Sequence, residues 1–222
     1  LPIVTEPSAL TKALEARITW LALKRLWQAL SATQFMRVGL SLMLTEIRGG
    51  PFRELSPPES TKEVLSRRQI GPAIALYQAL CKLMARADAL ELCGAIVKES
   101  TPLFLERAIG PLNRQKIMEQ SETERTNWVH RVSAQFFNAT MDFKEISDRA
   151  VGFHVNRCLF PELCRRVNVP ELAPIFCEGD AHYFGTEIKE VKLTRPLTIA
   201  RGDSHCDFDL KWKDDNSDSP GP

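Results

Sequence analysis

The chain has 222 residues, of which 44% are hydrophobic, so it is long enough to bury a sizeable core in one large domain or two small ones. Its 29 lysines and arginines nearly balance its 28 aspartates and glutamates, and this balance disfavours nucleic acids and anionic membrane surfaces as partners. The sequence has no run of about eighteen apolar residues and no signal-peptide pattern, which predicts a cytoplasmic protein without membrane contact.

The first predicted element is a helix from Ser8 to about Arg48. Its apolar residues form two stripes with helical spacing: Leu10, Leu14, Ile18 and Leu21, and Trp20, Leu23, Trp27 and Leu30. We expect one stripe to pack on the chain's own core. The other stripe is either buried in the same core or forms a homodimer through this N-terminal helix. Gly39 is predicted to bend the helix.

The next section, residues 60–141, is predicted to be helical, after a proline-rich loop at 49–58. A capping-box pattern at Ser60 and Glu63 starts the first helix, and a second at Ser121 and Glu124 starts a helix that extends towards Met141. Proline removes a backbone donor, so breaks are expected at three dipeptides: Gly71-Pro72, Thr101-Pro102 and Gly110-Pro111.

The hydrophobic period changes from helix to strand after residue 142. Strands are predicted at 143–147, 151–158, 188–193 and 205–212, and helices at 161–167 and 170–183. The predicted fold class is α+β, with a helical N-terminal section followed by a four-stranded antiparallel β-β-α-α-β-β unit that has helices on one face. The predicted regions are an N-terminal helix and loop at 1–59, a helical section at 60–141, an α+β domain at 142–213 and a disordered tail at 214–222.

The α+β region concentrates the reactive side chains, because four of the six cysteines and three of the four histidines lie between Val151 and Leu210. On the predicted helix 170–183, Cys177 and Asp180 are three positions apart and therefore share a face. Cys158 ends a predicted strand, where alternation places it on the same face as Asn156. We expect Cys158, Cys177 and Asp180 to form one site.

Three cysteine motifs in this region resemble a known family. They are Arg157-Cys158, then Pro-Glu-Leu at 170–172 followed by Phe176-Cys177-Glu178-Gly179-Asp180, and finally Cys206-Asp207-Phe208. Their order and spacing are similar to those of the L-2-amino-thiazoline-4-carboxylic acid hydrolase family. The resemblance implies a hydrolase that opens a cyclic amidine-like ring, converting 2-amino-thiazoline-4-carboxylate into N-carbamoyl-cysteine in the family's named reaction. A small-molecule substrate and no cofactor are expected.

The residues suggest two versions of this chemistry. We predict that Asp180 acts as the base and Cys177 as the nucleophile, whereas in the other version Asp180 activates water directly and Cys177 only shapes the pocket. An arginine is expected to hold the substrate carboxylate through its planar fork of donors. The predicted substrate-binding residues are Asn156, Arg157, Cys158, His182 and Cys206.

Other interpretations use the same residues. The cysteines are also suited to a structural role, since small thiols pack well in cores. A zinc site with four ligands drawn from Cys158, Cys164, Cys177 and Cys206, together with His205 or Asp180, is a further alternative, although no Cys-x-x-Cys pair is present. For the whole chain, the alternatives to an enzyme are a non-catalytic small-molecule-binding or sensory module of a vinyl-reductase-like type, and an assembly protein that acts through its helical half.

Overall fold

The computed structural model of the protein describes residues 11–213. The helices within these residues are α1 (Lys12–Ala29), α2 (Ala32–Ile47), α3 (Thr61–Leu80), α4 (Arg86–Ile109), α5 (Arg114–Glu119), α6 (Glu122–Ser133), α7 (Leu159–Arg166) and α8 (Ala173–His182). The strands are β1 (Ala139–Ile146), β2 (Ala150–Cys158), β3 (Val191–Thr194) and β4 (Cys206–Trp212). The predicted α+β fold class is confirmed.

The four strands form one antiparallel sheet in the order β1-β2-β4-β3. Its inner face is apolar and contains the buried residues Phe153, Val155 and Cys206. Its outer face is polar, and there His154 lies opposite Asp207 across β2 and β4. Alternation along the strands therefore turns one face towards the helices and leaves the other without a helical layer.

The helix predicted to extend to Arg48 is interrupted at Ser31, whereas α2 continues through Gly39. The Ser31 side chain accepts a hydrogen bond from the backbone N–H of Gln34, and the Gln34 side chain accepts one from the backbone N–H of Ser31. This capping box satisfies two backbone donors that a continuous helix would otherwise bond. The bend predicted at Gly39 stays a prediction.

The breaks predicted at Gly71-Pro72 and Thr101-Pro102 were also wrong, because α3 and α4 continue through both prolines. Each proline removes one hydrogen bond and strains the preceding turn. That cost is offset by burial, since α3 and α4 supply much of the largest hydrophobic cluster. Ile70 and Ile74 flank Pro72 on α3, and their exposures are 1% and 0%.

Elements of the last third begin or end a few residues from their predicted positions. The largest difference is at α6, which ends at Ser133, so that Met141 lies in β1 and not in a helix. Met141 pairs with Val155, and the sheet partner therefore decides its conformation. A short connection at residues 147–149 joins β1 to β2.

Glu63 joins the helical section to α7. Its carboxylate accepts hydrogen bonds from Arg67 at 2.6 Å and from Arg166 at 2.8 Å, and also from the backbone N–H of Glu59 at 3.1 Å. The Glu63 side chain is only 7% exposed. Burial by itself would raise the pKa of this carboxyl, but the three hydrogen bonds and the charge of Arg67 lower it to about 2.

The second stripe of α1 is on the surface. Trp20 and Trp27 are 66% and 64% exposed, whereas Leu14 and Leu26 are buried. The second stripe is therefore exposed along α1, although its last residue, Leu30, follows the helix and is buried in the core. The use of this stripe in a homodimer stays a prediction. The proposed division into regions also stays a prediction, and the tail predicted at 214–222 lies outside the described residues. None of the helices in 11–213 combines the length and apolar character that a membrane crossing requires.

Candidate functional site

Helix α8 lies directly against α4 at Gly179. A Cβ atom on Gly179 would lie 2.2 Å from Oγ1 of Thr101 and 2.8 Å from its Cβ, closer than such atoms approach in proteins. Glycine is therefore required for this close contact between the helices. Because Gly179 lies between Cys177 and Asp180 in the chain, the same contact fixes the positions of both side chains.

Four of the predicted site residues line one cavity between the helices and the inner face of the sheet. The cavity has a volume of about 560 Å³, and the four residues are Cys158, Cys177, Asp180 and Cys206. They come from the end of β2, from α8 and from the start of β4. The structure thus brings three separate sequence motifs to one place. An apolar cavity with a few convergent polar groups is the usual form of a small-molecule site.

A β-bulge turns Cys158 towards this cavity. In the pairing of β1 with β2, Thr140 is opposite Arg157 and Met141 is opposite Val155, so Asn156 has no partner residue. The extra residue shifts the alternation by one position. Cys158 therefore lines the cavity, where its sulfur accepts a hydrogen bond from Nδ2 of Asn138 at 3.4 Å. The prediction that Cys158 shares a face with Asn156 was wrong for this reason.

Arg195 is a site residue that the sequence analysis missed. Its Nη1 donates to Oδ2 of Asp180 at 3.2 Å, and its Nη2 donates to the backbone carbonyl of Cys177 at 2.7 Å. Its guanidinium carbon lies 5.0 Å from the ring centroid of Phe208, and the side chain is only 9% exposed. Arg195 therefore holds α8 and the sheet together. A single arginine before Pro196 gives no pattern that identifies it in the sequence.

The ionisation of Asp180 is unusual. Burial raises the pKa of its carboxyl to about 6, and the charge and hydrogen bond of Arg195 only partly oppose this rise. The side chain is 30% exposed and lines the cavity, so a molecule in the cavity can reach it. At neutral pH the carboxyl is mostly ionised and remains able to accept a proton.

The three cysteines of the predicted site that line the cavity are protonated at neutral pH. Burial raises the pKa of Cys177 to about 12 and that of Cys158 to about 11, and it also raises the pKa of Cys206. The negative charge of Asp180 adds to the increase at each of them. A thiolate is the reactive form of cysteine, and these surroundings disfavour it.

Three predicted site residues do not line the cavity. Asn156 donates a hydrogen bond to Asp142 on the outer face of the sheet. Arg157 is 64% exposed and forms a two-point ion pair with Glu162 at 2.8 and 2.9 Å. His182 lies at the end of α8, within 3.2 Å of the Thr186 hydroxyl. The positions of these side chains do not support substrate binding in this cavity.

Within residues 11–213, no three histidine, cysteine, aspartate or glutamate side chains are grouped so that they could hold a metal ion. The six cysteines are all free thiols. The closest imidazole and carboxylate groups are on the outer face of the sheet, where Nε2 of His154 is 3.3 Å from Oδ1 of Asp207. The residues of the alternative zinc site are therefore not arranged as ligands.

Comparison with known protein families gives a match over most of the chain. Residues 64–210 match the family model described as L-2-amino-thiazoline-4-carboxylic acid hydrolase. The matched region is roughly two thirds of the chain and includes the four cavity residues from the predicted site, as well as Arg195 and Gly179. None of the curated proteins compared with the chain matches it.

Proposed function

The chain belongs to the L-2-amino-thiazoline-4-carboxylic acid hydrolase family, and we propose that it hydrolyses a small cyclic amidine-like substrate to an N-carbamoyl amino acid. In the family's named reaction, 2-amino-thiazoline-4-carboxylate is opened to N-carbamoyl-cysteine. The observation that carries the proposal is Asp180, a carboxyl group with a pKa of about 6 in the wall of a large cavity. A base whose pKa is near the working pH is effective in proton transfer.

Asp180 acts as the general base in this proposal. It takes a proton from water as the water oxygen bonds to the amidine carbon between the ring nitrogen and sulfur. The bond from that carbon to sulfur then breaks. The oxygen becomes the carbonyl of the carbamoyl group, and the two protons of the water end on the ring nitrogen and on the sulfur. Protonated Asp180 donates one of these protons to the leaving sulfur, so that the sulfur leaves as a neutral thiol and not as a thiolate.

Arg195 acts as a positioning residue for Asp180. Its hydrogen bonds to Asp180 and to the Cys177 carbonyl fix the carboxylate relative to α8. Its positive charge also limits the rise in the pKa of Asp180, so that the ionised form predominates at neutral pH. A substrate that carries a carboxylate is attracted by the same charge.

Cys177 remains a neutral thiol in this proposal and lines the cavity. If Cys177 were the nucleophile, its proton would move from a thiol with a pKa of about 12 to a carboxyl with a pKa of about 6. Burial thus leaves almost no Cys177 thiolate at neutral pH, and the thiolate is the form in which a cysteine attacks. We therefore favour direct activation of water by Asp180 over nucleophilic attack by Cys177.

The test is turnover of 2-amino-thiazoline-4-carboxylate, with N-carbamoyl-cysteine detected by mass spectrometry. Asp180→Asn is expected to lower kcat by about 100-fold or more, since general-base catalysis typically contributes 10²–10⁴-fold. Cys177→Ser is expected to retain kcat within about tenfold. Arg157→Ala is the control, because this arginine is exposed and outside the cavity, and its kcat should equal that of the wild type.

Different results would contradict different parts of the proposal. Full activity in Asp180→Asn would remove Asp180 as the base. Complete loss of activity in Cys177→Ser, with its thermal unfolding unchanged, would restore the thiolate mechanism. Binding of the thiazoline by the wild type without any turnover would support the non-catalytic binding module.

A further inference from the structure

The cavity is much larger than the family's named substrate requires. 2-Amino-thiazoline-4-carboxylate has fewer than about ten non-hydrogen atoms, at the lower end of ligand size. At roughly 30 Å³ for each water-sized group in a liquid, the cavity volume of about 560 Å³ accommodates roughly twenty such groups. About half of the space would remain unfilled by that substrate.

The cavity extends well beyond Asp180 and its neighbours. Along α4 its lining includes residues from Cys93 to Ile109, a distance of about 24 Å at 1.5 Å per residue. Thr101 contacts α8 beside Asp180 and lies near the middle of this distance. The cavity therefore continues from the site in both directions along α4.

The walls of these extensions are mostly apolar. Towards the start of α4 they include Ile96 and Leu76, and towards its end they include Phe104, Leu105 and Trp128. Pockets of about 300–1,000 Å³ with mainly apolar walls are the usual form of a small-molecule site. Water in such a space would find few polar partners, and the walls would lose dispersion contacts. An apolar group in the cavity removes both costs.

We propose that the substrate of this chain is an amphiphile, a thiazoline-4-carboxylate ring that carries an extended alkyl chain. This inference rests on the proposed function, because the ring is the part that Asp180 acts on. The polar ring of the substrate lies at Asp180, and its alkyl chain fills the cavity along α4. Water adds to the ring carbon between nitrogen and sulfur, the bond from that carbon to sulfur breaks, and a 2-alkylamino ring gives an N-(alkylcarbamoyl)-cysteine with a free thiol.

The test is a series of 2-alkylamino-thiazoline-4-carboxylates whose chains increase from methyl to undecyl. Binding is measured by calorimetry with Asp180→Asn, which keeps the cavity and is expected to be inactive. Turnover by the wild type is measured as N-(alkylcarbamoyl)-cysteine formed. Each added methylene is expected to lower Kd by up to roughly fourfold, the value for complete burial, until the cavity is filled. A Kd that does not change with chain length would overturn the proposal.

Substitutions that fill the cavity distinguish specific from non-specific binding of the substrate's alkyl chain. Ile109→Trp and Ala73→Phe place larger side chains in the two extensions. At least one of them is expected to raise Kd for the undecyl compound by tenfold or more, with Kd for the methyl compound unchanged. Ile47→Trp is the matched control, because Ile47 is exposed on α2. Equal loss of long-chain binding in all three variants would also overturn the proposal.

The two measurements distinguish this inference from the proposed function. Turnover of the methyl compound with no gain from longer chains would reject the amphiphilic substrate and keep the hydrolase. Chain-dependent binding with no turnover of any member would keep the amphiphilic ligand and reject the hydrolase.

Discussion

Replacement of Gly179 by alanine is expected to push α8 away from α4. The new methyl carbon would lie 2.2, 2.8 and 3.0 Å from Oγ1, Cβ and Cγ2 of Thr101. Since carbon atoms normally stay about 3.5–4.0 Å apart, the helices must separate by roughly 1 Å. Rotation of the Thr101 side chain does not relieve the contact with its Cβ. Overpacking of this kind costs about 1–3 kcal/mol, and the better helix propensity of alanine offsets about 1 kcal/mol of it.

The assay is urea unfolding of Gly179→Ala beside a matched variant, Gly94→Ala. Gly94 is on α4, and a methyl group there would have Cγ2 of Ile175 as its nearest neighbour, at 3.8 Å, which is an ordinary contact. Gly94→Ala is therefore expected to be neutral or to gain up to about 1 kcal/mol. Gly179→Ala is expected to lose up to about 2 kcal/mol and, because a displacement of about 1 Å affects catalysis strongly, up to about 100-fold in kcat.

A double variant tests whether Thr101 is the cause. Thr101→Gly removes the three atoms in question, so in that background Gly179→Ala should no longer destabilise the protein. If Gly179→Ala alone is as stable as Gly94→Ala, the contact between α8 and α4 is not as close as described and the reasoning fails.

Three other predictions concern ionisation and association. The folded-state pKa of Asp180 is about 6, above its ordinary value of 3.8. The contribution of Asp180 to stability is therefore full below about pH 4 and is lost as the pH rises through 6. In urea unfolding, the stability of the wild type relative to Asp180→Asn should fall over this range, and a constant difference would contradict the prediction. The pKa of Glu63 is shifted in the opposite direction, from 4.5 down to about 2. Glu63→Gln should therefore lower the free energy of unfolding by about 3–5 kcal/mol at pH 7, because Arg67 and Arg166 lose their partner. This loss should become smaller as the pH falls towards 2. If the exposed stripe of α1 forms a homodimer, Trp27→Lys should convert a dimer to a monomer in analytical ultracentrifugation, and an unchanged sedimentation coefficient would reject this surface.

Much of the fold could be predicted from the sequence because its hydrophobic period changes once, near residue 142. Helical spacing before that point and alternation after it indicated the fold class and the order of strands and helices along the unit. The positions of helix breaks were less predictable. Pro72 and Pro102 have the local signature of a break, but the buried faces of α3 and α4 outweigh it. The sequence feature that marks the actual break between α1 and α2 is the capping box of Ser31 and Gln34.

The site was predictable only in part, for geometric reasons. Cys177 and Asp180 share a helix face at a spacing of three, so the sequence shows their proximity directly. The bulge at Asn156 reverses the alternation of side chains between the two faces of the sheet before Cys158, and no residue type in β2 indicates this bulge. Arg195 reaches Asp180 from a segment fifteen residues away. Such a contact depends on how β3 and α8 pack, which a local pattern does not describe.

Burial of the cavity thiols also bears on how the protein tolerates oxidants. Peroxides and alkylating reagents attack the thiolate, and the pKa values of about 11 and 12 at Cys158 and Cys177 leave almost none of it at neutral pH. The cysteines that make this region conspicuous in the sequence are thus poor targets for sulfenic acid formation. Under the proposed mechanism, which uses Asp180 and water, activity should persist under oxidising conditions that inactivate enzymes with a cysteine nucleophile.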